Sequence, residues 1–297
     1  MTALSHDDLW PRAGAWPSFD AIPGDLDAAL LGVPTWRTSL SPTGAHATPA
    51  AVRAALPRYS AALVGSDPVD LGELLRIVDA GDVDEPDGPD GEERVRMRVA
   101  ELRARAGLVI ALGGDNSATY PVAQASGAAG LITLDAHHDL RDGVSNGSPV
   151  RRLIEDGFEP RRIVQVGIAD FANSVAYARR AAEAGITVIT LGDVRRRGID
   201  DVVGEALEIA GAGGGSIHLD VDVDVCDRSV APGCPASVPG GLAAWELRAL
   251  VRGIASEPRV VSADIVEVDA TADADDARTV RLAALCVLEL LAGRAGR

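Results

Sequence analysis

Apolar runs alternate along the chain with Ala-, Leu- and Arg-rich stretches of helical period. Strands are predicted at 28–34 (AALLGVP), 75–83 (LRIVDAGDV), 108–114 (LVIALGG), 130–136 (GLITLDA), 162–168 (RIVQVGI), 186–191 (ITVITL), 216–225 (SIHLDVDVDV) and 259–268 (RVVSADIVEV). A helix is predicted at 48–56, with Pro49 near its start, and a longer one at 91–107, ended by Gly107. This rhythm predicts an α/β fold, a mostly parallel sheet covered by helices on both faces. The acidic, Pro- and Gly-rich segment 82–93 reads as a surface loop, since the same rhythm runs on both sides of it. With no internal repeat, residues 1–297 read as one domain. Ligands of open parallel sheets bind outside the carboxyl ends of the strands, so the strand-end residues carry most weight.

Composition narrows the class. Hydrophobic residues make up 47% of 297, which sets disorder aside. The formal net charge of −16 argues against a nucleic-acid partner, which needs clustered basic side chains. Every one of those basic side chains is Arg; there is no Lys. The first residues lack a basic segment followed by an apolar one, and no run is long enough to span a bilayer. Cys226, Cys234 and Cys286 are odd in number and show no C-x-x-C spacing, so neither a disulfide framework nor a structural zinc site is expected. A cytoplasmic location is the default expectation.

The strand ends carry the chemistry. Asp220, Asp222 and Asp224 alternate with Val, which in an extended strand puts three carboxylates on one face. Without a counter-charge they repel, and some must take up protons. A divalent cation removes that difficulty. A solvated edge strand explains one such cluster equally well, but a second one stands in "TLDAHHDLRD" (133–142). There Asp135, His137 and Asp139 share a face if the chain stays extended. A calcium-binding EF-hand loop does not fit, because Val225 and Ala231 stand where it needs Gly and Glu. Carboxylates plus an imidazole suit manganese, zinc, nickel or iron better, and two metals sharing an Asp are plausible. His138 has the wrong parity and reads as a histidine that packs or supports the ligands from behind, rather than as a ligand itself. His218 reads as structural, and His46 as a possible pocket residue. Trp36 is a candidate for the pocket wall and Trp245 for the core.

Together these stretches resemble the ureohydrolase family of arginase, agmatinase, guanidinobutyrase and formimidoylglutamase. The matching motifs are "GGDNS" (113–117), "DAHHD" (135–139), "DVDVCDRSVAPGCPASVPGGL" (222–242), "ADIVEVDATADADDARTVRLAA" (263–284) and the opening "GVPTWRTSLSPTGAHATPAAVRAAL" (32–56). The resemblance runs from about residue 30 to the end. It implies an arginase-like three-layer α/β/α fold, a site for one or two Mn2+ ions, and hydrolysis of a C–N bond in a guanidine or amidine. By position, Asp135 and Asp222 would bridge the metals, His137 and Asp224 would complete one site, and Asp139 would serve the other. Asp139 would also orient the hydroxide and pass its proton to the leaving nitrogen, while Glu267 would hold the cationic side of the substrate. The role of Asp220 is left open. The family also implies a homo-oligomer.

Two departures narrow the substrate. Asn116 stands where the family usually has a metal-binding His. Its amide oxygen is a weaker donor, so this metal is expected to bind loosely or be absent. Asn146, in "SNGSPVRR" (145–152), stands where agmatinase-like members have a His for substrate binding and proton transfer. The chain contains only three Asn, and two are at these positions. The pattern is most like the formimidoylglutamase branch, whose substrate carries two carboxylates. Arg37, Arg141, Arg151 and Arg152 are candidates to meet them. The expected reaction is formimidoylglutamate to glutamate plus formamide. The alternatives are urea release from agmatine or guanidinobutyrate, and a weakened family member that only binds a small molecule or a protein.

Overall fold

The computed structural model describes residues 5–296. Ten strands are present among them: β1 (Leu26–Val33), β2 (Ala62–Leu63), β3 (Val69–Asp70), β4 (Ile77–Asp82), β5 (Ala106–Gly113), β6 (Gly130–Leu134), β7 (Ile163–Ile168), β8 (Thr187–Thr190), β9 (Ile217–Asp222) and β10 (Val260–Val266). Eight of them form one sheet in the order β4-β1-β5-β10-β9-β6-β7-β8. All its neighbouring strands pair in parallel. β2 and β3 make a small antiparallel ribbon.

The helices are α1 (Thr48–Ala55), α2 (Leu71–Leu74), α3 (Gly88–Arg103), α4 (Thr119–Ala125), α5 (Pro149–Glu155), α6 (Val175–Ala184), α7 (Leu191–Arg197), α8 (Ile199–Ala210), α9 (Ala244–Ala255) and α10 (Arg278–Arg294). Alternate strand residues feed different cores, which makes the fold three layers. On β5, Leu108, Ile110 and Leu112 join the core under α1, α8, α9 and α10, while Val109 and Ala111 point to the opposite layer with α3 and α4. Strands buried on both faces read as continuous apolar runs, which is the pattern seen in the sequence.

β9 breaks this rule. Ile217, Leu219 and Val221 enter the first core, but His218, Asp220 and Asp222 face the other layer and are fully or almost fully buried. Polar residues in register beside them on β6 and β10 are Thr133, Asp264 and Ser262. A polar seam therefore runs through the sheet interior and ends at its carboxyl edge.

Several local expectations are corrected. α3 begins at Gly88, because Pro89 suits a first helical turn, so the second half of the acidic 82–93 segment is helix. α3 ends at Arg103, and Gly107 lies inside β5, paired with β1 through its neighbours Ala106 and Leu108. β6 stops at Leu134 and β9 at Asp222, so neither acidic cluster is one extended strand. Trp245 is 65% exposed, not core. Among the described residues, no helix is long and apolar enough to cross a membrane.

Candidate active site

Four strand ends converge where β5, β10, β9 and β6 lie side by side. The chain turns off three of them by one device. Asp135 Oδ1 accepts from His137 N–H at 2.6 Å, Asp222 Oδ1 from Asp224 N–H at 2.9 Å, and Asp115 Oδ1 from Ser117 N–H at 3.2 Å. In each, a carboxylate holds the amide two residues on, a turn that Asp favours. The acids thus shape the loops that carry their neighbours. Asp224 reaches the site through the short 3-10 turn Val223–Val225, not through strand alternation.

Asp139 and Glu267 arrive by strain. Both have left-handed backbone, with φ of +52° and +60°. Left-handed non-Gly residues persist only where their surroundings hold them, and they gather at functional sites. Glu267 N–H donates to Gly114 O at 2.9 Å. A side chain at Gly114 would put its Cβ 2.0 Å from Thr35 O, so only Gly lets this loop close.

Asp135, His137 and Asp224 present ligand atoms close enough to share one ion. His137 Nδ1 lies 3.0 Å from Asp224 Oδ2 and 3.5 Å from Asp135 Oδ1. The donor set of carboxylates plus imidazole suits a divalent cation. Two further observations fit one. Asp135 Oδ2 is buried without a hydrogen-bond partner. The acids also cannot all ionise unaided: burial first, and Asp224 second, push Asp135 up to about 6. Burial and then Asp224 raise Asp222 well above the ordinary range, and burial and then Asp135 do the same to Asp139. Burial and Asp115 raise Glu267 to about 8. Burial disfavours charge on His137, but Asp224 and Asp135 outweigh it and hold the ring as imidazolium, up to about 12. In return His137 holds Asp224 low despite its burial. A bound cation would replace the proton on that ring.

Asn116 turns its amide in a specific direction. Its Oδ1 accepts from Thr119 Oγ1 at 2.5 Å, while its Nδ2 donates to Asp139 Oδ2 at 2.5 Å and Asp222 Oδ2 at 3.2 Å. Without a cation it is a donor to the acids, not an oxygen ligand. Asn146 Nδ2 donates to Glu267 Oε1 at 2.6 Å, and Asn116 N–H donates to the same oxygen at 2.8 Å. Glu267 Oε2 has no protein partner among the described residues.

A cavity of about 240 Å³ is lined by His137, Asp139, Asn146, Asp222, Asp224 and Glu267, with Asp135 and Asn116 behind that lining. Arg141 lines it too and has no side-chain partner among the described residues. The other arginines are elsewhere. Arg151 holds Arg141 O and Glu155, and Arg152 grips Glu92 with two bonds and lies 3.6 Å over the Tyr120 ring. Arg37, Trp36 and His46 do not line the cavity; the last two rings pack on each other at 5.1 Å. His218 is buried, bonded to Ser262 Oγ at 2.8 Å and Asp264 Oδ2 at 3.1 Å. Asp220 lies in register with Asp264, with both oxygens unpartnered, and burial and then Asp264 raise it well above the ordinary range.

Sequence reasoning missed Gln165 and Asn173. Gln165 was legible as a lone amide inside the apolar run of β7. Asn173 Oδ1 accepts from His138 N–H at 3.0 Å, and its Nδ2 donates to Ala136 O at 2.8 Å, which staples the acid-bearing loop to the one after β7. His138 is 3% exposed and lines the cavity. Burial, and then His137, lower its pKa, against a hydrogen bond to Gln165. The three cysteines are free and buried.

Comparison with known proteins agrees with this geometry. A family model described as "Arginase family" matches residues 26–293. Formimidoylglutamase of Bacillus subtilis (strain 168) is 37% identical over 278 residues, which cover 89% of this chain and 86% of that one. Its crystal structure superposes with a TM-score of 0.86 at 32% identity, covering 98% of this chain and 94% of that one. A structure of Trypanosoma cruzi formiminoglutamase with Mn2+2 gives a TM-score of 0.83 at 26% identity, covering 91% and 94%. With three layers, a wholly parallel sheet and acids at its central strand ends, the chain belongs to the arginase family.

Proposed function

We propose that the protein hydrolyses formimidoylglutamate to formamide and glutamate, using manganese held at the strand ends. Water adds to the formimidoyl carbon and the bond from that carbon to the glutamate nitrogen breaks. The added oxygen leaves in formamide, and the glutamate nitrogen gains a proton. The observation that carries the reading is the cavity itself, with six acid, imidazole and amide groups at its floor and the unpaired Arg141 in its lining.

Asp135, His137 and Asp224 would hold one ion, with Asp222, Asp139 and Asn116 around a second. For Asn116 to be a ligand its amide must turn over, exchanging the Thr119 contact for one to the ion. A bound divalent cation lowers the pKa of a water and fixes it among the acids.

The chain's own groups do the rest. Glu267 Oε1 is held by Asn146 and Asn116, which leaves Oε2 to take an N–H of the amidinium. That carboxylate keeps the amidinium protonated and its carbon electrophilic. Asp139 sits in the cavity with a raised pKa, suited to take a proton from water and return it to the leaving nitrogen. Arg141 offers a planar fork to the substrate carboxylates. Asn146, in place of a titrating imidazole, fits a substrate outside the agmatine class.

Chromatography of products from formimidoylglutamate, agmatine and guanidinobutyrate tests the proposal. Formamide and glutamate are expected from the first and no urea from the others; urea without formamide would overturn it.

A further inference from the structure

His138 is held in one tautomer. Gln165 Nε2 donates to the His138 carbonyl at 2.9 Å, which fixes which way the amide points. An amide whose N–H2 meets a carbonyl presents its oxygen on the other side. That oxygen, Oε1, lies 2.7 Å from His138 Nδ1, so Nδ1 must be the ring nitrogen that carries hydrogen. Both side chains are buried, so water does not compete for these bonds. In the neutral ring Nε2 is then a bare lone pair. It has no partner among the described residues, and His138 lines the cavity.

The substrate decides what that lone pair meets. Beyond its amidine, formimidoylglutamate offers only carboxylates, which are acceptors and would repel it. The terminal amidine nitrogen falls to Glu267. Two donors then remain, the second terminal N–H and the N–H on the nitrogen that carries the glutamate tail, and only the latter varies with the tail. Resting on the functional reading above, we propose that His138 Nε2 accepts this N–H and selects amidines whose tail nitrogen keeps a hydrogen. Gln165 is the positioning residue that fixes the tautomer.

His138→Asn tests the contact, because its amide can still meet Gln165 while nothing replaces Nε2. The manganese-loaded enzyme is assayed on formimidoylglutamate and on the analogue with methyl in place of that N–H. Wild type should favour the N–H substrate, and the variant should shrink this preference by about tenfold, with its loss on the N–H substrate mainly in KM. An equal loss on both substrates would overturn the proposal. Nitrogen NMR of 15N-histidine-labelled protein reads the tautomer without turnover. The bare Nε2 form is expected in wild type and a mixture in Gln165→Met; an Nε2–H form in wild type would also overturn it. If wild type hydrolyses neither substrate yet keeps the expected tautomer, the functional reading has failed, and the substrate contact with it.

Discussion

The side-chain amide of Asn116 donates to Asp139 Oδ2 at 2.5 Å. It gives a crowded acid a neutral partner where an imidazole would offer a lone pair to a metal. The same contact that quiets Asp139 would compete with any second ion bound beside it.

Asn116→His should therefore strengthen the second site. After dialysis, wild type is expected to keep fewer than two ions per chain and the variant to keep more, measured by elemental analysis. Equal contents near two would show that the amide serves as well as imidazole.

Asp139→Asn separates stability from activity. It removes one of several buried acids that raise each other's pKa. The metal-free variant should gain about 1 kcal/mol, or roughly 2 °C in Tm for a chain of this size. Turnover should fall about a thousandfold. A lower Tm would mean that the Asn116 contact outweighs the repulsion.

The metal-free protein should lose stability as pH rises. Asp135 is raised from 3.8 to about 6 and Glu267 from 4.5 to about 8, so both bind protons more tightly folded than unfolded. Their contribution is fully present below the unfolded values and is lost as pH climbs through about 6 and about 8. Melting chelated protein from about pH 5 to about pH 9 should show a falling Tm. Saturating Mn2+ should remove most of that fall, since a cation favours the charged forms.

Arg141→Ala should raise KM for formimidoylglutamate by about 10- to 100-fold with little change in kcat, the signature of a lost charge-assisted bond away from the reacting carbon. Arg152→Ala should instead lower Tm, because its partners are Glu92 and Tyr120. A KM effect from Arg152 rather than Arg141 would reverse these assignments.

Much of this was legible beforehand. Each of the eight predicted apolar runs falls on a strand of the main sheet, because strands covered on both faces must be apolar throughout. The acids stood out because they interrupt such runs. What periodicity could not reveal was how the chain turns once a strand ends. Asp224 and Asp139 reach the cavity through a 3-10 turn and a left-handed residue, which depend on the hydrogen bond that Asp222 accepts from Asp224 N–H and on the surrounding loops. The amide directions of Asn116 and Gln165 were likewise hidden, since they depend on Thr119 and on the His138 carbonyl. The four candidate arginines were equivalent as letters and differ only in their neighbours.

The strand order has a consequence for biosynthesis. β5 and β6 follow one another in the chain, yet β10 and β9 lie between them in the sheet. As the chain emerges from the ribosome, these two strands wait with open edges until residues 217–266 arrive to fill the slot. Asp222 and Asp224 come with that late insert and Glu267 directly follows it, so the group of Asp135, His137 and Asp224 is complete only once the insert has been made. A nascent chain stalled before that point would expose two unpaired apolar strand edges.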